Sequence, residues 1–105
     1  MNVHLNQHET KVNFMERQIK IIKLCDVMSL SNLSKTCIYR RVQNQLMPPP
    51  FSLGGRAVGY YEHEIKGVLS AMAAGYSDKE IKSLVVSLIE KRKQAADAFV
   101  SSIAA

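Results

Sequence analysis

At 105 residues, with 47% hydrophobic and 22% charged side chains, the chain suits one domain with a modest core and is too apolar for wholesale disorder. Its net charge of +5 and sequence pI of about 9.4 favour polyanionic partners, most often nucleic acid. No apolar run approaches the roughly 18 residues of a membrane span and no signal peptide is evident, so a soluble cytoplasmic protein, nucleoid-associated if it binds DNA, is expected.

The chain opens with a polar arm, residues 1–18. Within it His4 and His8 have the i, i+4 spacing that can hold a metal on a helix. No third ligand is near them, so solvated surface histidines are expected, with no metal and no cofactor. Ile19, Ile21 and Ile22 with Leu24 fit either a short strand or a helix lead-in. A strand here would pair with a later hairpin and make a three-stranded sheet.

A first helix is expected from about Leu24 to Leu30, where Leu24, Val27 and Met28 recur at i, i+3 and i+4. Ser29, Ser31 and Asn32 suit its end and the following turn. Ser34 is an N-cap candidate, and Leu33 with Ile38 has the spacing of a hydrophobic staple. The second helix then runs from about Lys35 to Gln45. Ile38, Val42 and Leu46 share one face. The opposite face gathers Lys35, Thr36, Arg40 and Gln43, with Tyr39 at its margin and Arg41 on the flank. Met47 and the triple proline Pro48-Pro49-Pro50 stop the helix and force an extended path. Cys25 and Cys37 lie at apolar-patterned positions without a partner cluster, so free, partly buried thiols in a reducing compartment are expected.

Phe51-Ser52-Leu53 and Val58-Gly59-Tyr60 alternate around Gly54-Gly55, a hairpin signal, and set Arg56 at or next to the tip. A third helix follows from Glu62 to about Ala74, with Ile65, Val68, Leu69 and Met72 on one face. Gly75 is a plausible stop, and Ser77 with Glu80 is a capping-box pair. The fourth helix should run from about Asp78 to near Ser101. Its stripe of Ile81, Leu84, Val85, Leu88 and Ile89, continued weakly by Ala95, Ala96 and Phe99, can pack back on the domain or form a homodimer seam. The expected fold is mainly α with a small β-hairpin: a winged helix-turn-helix over residues 19–75 and a C-terminal extension helix, residues 76–105, suited to dimerisation.

No P-loop, HExxH or nucleophile elbow is present. His63 stands between Glu62 and Glu64 and reads as an exposed helix start, so no enzyme activity is expected. Charge distribution is more informative. Between Asp26 and Glu62 the charged side chains are Lys35, Arg40, Arg41 and Arg56, all basic, whereas from Tyr76 onward five basic residues face four acidic ones. A major groove admits one α-helix, and side chains near that helix's N-terminal end read base edges. Lys35, Thr36, Tyr39 and Arg40 hold those positions, with Gln43 on the same face. Arg41 suits a phosphate contact, and Arg56 on a glycine-rich tip can reach phosphate or a minor groove. The alternatives are a solvated polar face and, for the protein as a whole, an interaction module such as an antirepressor or adaptor that uses the apolar fourth helix. An adaptor has no need of an acid-free segment.

The runs LCDVMSLSNLSKTCIYRRV and PPPFSLGGRAVGYYEHEI resemble the AlpA family of phage and prophage regulators over about residues 21–75. Relatives of that family include excisionase-type DNA-binding proteins and, more distantly, MerR-type winged helices. The resemblance implies a small winged-helix regulator of a mobile element that binds double-stranded DNA. Such a protein acts at the promoter of an excision gene, or at an attachment site as a recombination directionality factor with an integrase as partner. It carries DNA contact over to Lys35, Thr36, Tyr39, Arg40 and Arg56. The family often has tryptophan in the strand after the wing, where this chain has Tyr60 and Tyr61. The family pattern commonly ends soon after the third helix and says little about the fourth.

Overall fold

The computed structural model describes residues 20–104, so the polar arm with His4 and His8, and Ile19 after it, lie outside the described residues. The elements are β1 (Ile21–Ile22), α1 (Leu24–Ser31), α2 (Lys35–Gln43), β2 (Phe51–Ser52), β3 (Val58–Tyr61), α3 (Glu62–Ala73) and α4 (Asp78–Ala104). The three strands form one antiparallel sheet in the order β1-β3-β2. Ile21 pairs with Tyr61 and Ile22 with Tyr60, while Phe51 pairs with Gly59 and Ser52 with Val58. The strand reading of the Ile21 region is thus the one the fold adopts. Glycine is needed at position 59 because a Cβ there would collide with Ile21 Cγ2 and crowd Leu53.

Local signals set most boundaries. The Asp26 carboxylate accepts the Lys23 N–H at 3.0 Å, and α1 ends at Asn32, whose φ of 57° is the left-handed conformation asparagine tolerates. Ser34 caps α2, its Oγ accepting the Cys37 N–H at 3.1 Å. That helix ends at Gln43 rather than Gln45. Gln45 takes a φ of 60°, and the Leu46 N–H turns back to the Arg41 carbonyl at 2.7 Å, closing a wider loop that tucks Met47 into the core. At the end of α3 the Tyr76 N–H donates to the Ala71 carbonyl and the Gly75 N–H to that of Met72, a Schellman motif with Gly75 at φ 90°. Ser77 and Glu80 exchange their capping bonds at 2.9 and 3.2 Å. These bonds from Ser77 hold the Glu80 carboxyl below its ordinary range.

The core is Ile22, Val27, Ile38, Met47, Tyr60, Ile65, Val68, Ala71, Ile81 and Val85, drawn from every helix and from the sheet. Burial, and then the neighbouring Tyr39, pushes the Tyr60 hydroxyl above its ordinary range. Two members correct the expected dimer seam. Ile81 and Val85 are 1% and 2% exposed inside the chain's own core, and Leu84 and Leu88 pack against it. A helix stripe states which face is buried, not against what. The first half of α4 therefore belongs to the domain rather than extending from it. Its 27 residues span about 40 Å, and the end beyond Arg92 is exposed throughout its described side chains.

Candidate nucleic-acid interface

Two surfaces gather the exposed basic residues of the acid-free segment. The first is the outward face of α2. Ile38 is fully buried beneath it and fixes the helix roll, so Lys35, Thr36, Tyr39, Arg40 and Gln43 all lie in solvent. The Lys35 ammonium sits 5.8 Å from the Tyr39 ring centroid, a spacing at which ring and cation attract. Ser34 orders the first turn of this face.

The second is the tip of the β2–β3 hairpin. The Leu53 N–H donates to the Ala57 carbonyl at 2.8 Å, and the Ala57 N–H to that of Gly54 at 3.0 Å. Ser52 Oγ accepts the Gly54 N–H at 3.2 Å. Gly54 and Gly55 have φ of 100° and 56°, which a side chain would strain. The turn leaves Arg56 exposed between Gly55 and Ala57.

Arg41 departs from expectation. Its Nη2 donates to the Leu46 carbonyl at 3.1 Å and lies 3.2 Å from Met72 Sδ. Position 41 lies well round the helix from 36, 40 and 43, and its side chain ties the end of α2 to α3 instead of reaching outward. Its Nη2 is thus engaged within the fold, where the sequence pattern suited a phosphate contact. The thiols are free as expected, but Cys25 is exposed rather than partly buried. His63 is half-buried beside the Tyr61 ring at 5.5 Å, so the third helix does not begin as a wholly solvated turn. Among the described residues no group of three histidine, cysteine or acidic side chains could hold a metal, and no helix is long and apolar enough to cross a membrane.

One arrangement was absent from the sequence reading. Glu64, in the first turn of α3, is 1% exposed, and Arg92 of α4 meets it with a bidentate fork. Arg92 Nε lies 2.9 Å from Glu64 Oε2, and Nη2 lies 2.6 Å from Oε1. The same Nη2 donates to the Pro49 carbonyl at 2.7 Å. The guanidinium also stands 5.4 Å from the Phe51 ring and 5.7 Å from the Tyr61 ring, which are themselves 4.7 Å apart. Arg92 thus touches both legs of the hairpin and the segments on either side of it. Its only sequence signal was a mixed run, Glu90-Lys91-Arg92-Lys93, that looks like a solvated helix surface.

Comparison with known proteins gives this geometry a family. No solved structure matches the chain. An uncharacterised protein of Enterobacteria phage P4, ORF88, is 31% identical over 58 residues, which covers 55% of this chain and 66% of that protein. A family model described as the prophage CP4-57 regulatory protein AlpA matches residues 20–82, more than half the chain. The match takes in the sheet, α1, α2, the hairpin, α3 and the start of α4, and this chain belongs to the AlpA family of prophage regulatory proteins.

Proposed function

We propose that the protein is a sequence-specific, double-stranded-DNA-binding transcription regulator of a phage or mobile element, built as a winged helix-turn-helix. In this reading α2 enters the major groove and the β2–β3 hairpin is the wing. Lys35, Thr36, Tyr39, Arg40 and Gln43 face the bases, and Arg56 reaches phosphate. The observation that carries it is that the outward face of α2 and the hairpin tip both expose basic side chains within a segment that contains no acid. Membership of a regulatory family supports it.

Mobility shift on promoter and attachment-site fragments, repeated across salt concentrations, tests the reading. Affinity is expected to fall with log salt at a slope of about 0.9 per phosphate neutralised. Binding that ignores salt, or no shift on any fragment, would favour an adaptor. Genome-wide mapping of bound sites then separates promoter control from direct control of excision.

A homodimer is part of the proposal, with its seam moved off Ile81, Leu84, Val85 and Leu88 and keeping Ile89 of the expected stripe. Val86, Ile89, Val100 and Ile103 are exposed, the last two by 56% and 67%, and with Lys93 and Ala96 they follow a 3-4-3-4-3 spacing. That spacing reads the same in both directions. An antiparallel second copy sets Val86 against its Ile103 and Ile89 against its Val100. Lys93 then falls opposite the small Ala96 of the second copy, one residue from its Asp97. Light scattering is expected to give twice the chain mass, and Val100→Glu with Ile103→Glu to give a folded monomer. A wild-type monomer at high concentration removes the dimer from the proposal.

A further inference from the structure

We propose that Arg92 is a positioning residue for the wing: through one guanidinium, α4 sets the hairpin's angle relative to α2 and so governs whether Arg56 reaches DNA. The proposal rests on the DNA-binding reading above and deepens it. Arg92 lies beyond residues 20–82, so the family pattern does not describe it.

The geometry is that of a strut at the base of a lever. β2 is only two residues long; its ladder to β3 is Phe51–Gly59 and Ser52–Val58, closed at the turn by the Leu53 N–H to the Ala57 carbonyl. Such a short ladder resists bending weakly by itself. Arg92 braces its base at four points: the Pro49 carbonyl before β2, the Phe51 ring on β2, the Tyr61 ring at the end of β3, and Glu64 in the helix that follows. A lysine could supply charge but not this planar fork. From Phe51 to the turn at Gly54 the hairpin leg advances about 10 Å at roughly 3.3 Å per residue, and Arg56 sits at that tip. A swing of about 10° at the base therefore moves the tip by about 2 Å, enough to take a hydrogen bond out of range.

The obvious variant strands Glu64 and can unfold the chain. The paired replacement Glu64→Leu with Arg92→Met removes the strut and keeps volume and burial, a swap that usually preserves stability. Two measurements on the full chain decide. In the first, Cys25 and Cys37 are replaced by serine and alanine, and spin labels at Arg56→Cys and Gln43→Cys report the wing-to-α2 distance without DNA. The distribution is expected to widen in the paired variant. In the second, affinity for a random-sequence DNA duplex is followed against salt, with native Arg56 in place. The paired variant is expected to lose about one unit of slope, and adding Arg56→Ala to it is expected to change nothing further.

A distance distribution as narrow as wild type, with the slope intact in a folded variant, overturns the proposal. Should the wild-type chain fail to bind duplex DNA, the functional reading falls, and the spin-label widths alone still decide whether Arg92 holds the wing.

Discussion

Arg92→Ala is expected to lower the free energy of unfolding by about 3–5 kcal/mol, the usual cost of removing one partner from a buried ion pair. The cost comes from what is left behind. Glu64 is 1% exposed, and among the described residues Arg92, at 18% side-chain exposure, donates to both of its carboxylate oxygens. Without Arg92 the carboxylate must sit uncompensated in the interior, or the start of α3 must open to water. The Pro49 carbonyl loses a charge-assisted donor in the same step. A domain of this size is stable by roughly 5–15 kcal/mol in all, so the variant loses a large share of its margin. Urea denaturation measures the loss directly. The contrast is Lys66, whose own side chain is 57% exposed and whose partner Glu62 keeps a second cation in Lys20. Lys66→Ala is expected to cost under about 0.5 kcal/mol, because water screens that pair. Equal, small losses for the two variants would mean that the buried fork does not hold the fold.

Arg40→Ala and Arg56→Ala should separate base reading from phosphate contact. Arg40 lies on the exposed face of α2, where a guanidinium can make a bidentate contact with guanine. Its loss is expected to cost about 1–3 kcal/mol of discrimination, roughly fivefold to 150-fold, concentrated at one position of the site. Arg56→Ala is expected to weaken binding about equally on every sequence and to reduce the salt slope by about one. Binding to a set of single-base operator variants, at several salt concentrations, distinguishes the two patterns. Arg41→Ala belongs to neither. It removes the link from α2 to Leu46 and Met72, so its effect should appear in the melt and not in the salt slope. If neither Arg40→Ala nor Arg56→Ala alters DNA binding, both elements are wrongly assigned.

The legible parts of this fold are those written in near neighbours. Ser34 caps the helix that starts one residue later, and the Ser77–Glu80 box spans three residues. Gly54-Gly55 turns within the hairpin it creates, and the alternation beside it is read over a few positions. The i, i+4 stripe of Ile38 and Val42 foretold which side of α2 faces in, and with it the exposed set from Lys35 to Gln43. Spacing alone was less useful where two partners were possible. It marked Ile81 and Val85 as a buried stripe, and their own core, not a second copy, is what covers them.

The sequence by itself determined the four helices, the hairpin, their order and the charge they present, because periodicity, caps and turn residues act over a few positions of chain, whereas β1 is a strand only through its pairing with β3. Tertiary structure alone decided which charges remain on that surface. Arg41 and Arg92 look alike as exposed helical arginines, yet one is drawn to Met72 and the other to Glu64, 31 and 28 positions away. Pairing over such separations depends on where helices cross, and the spacing of charges along the chain holds no record of it. The acid-free stretch thus kept Lys35, Arg40 and Arg56 outward and drew Arg41 into the fold, while the part of α4 beyond the family's matched region set Arg92 against the base of the hairpin that carries Arg56.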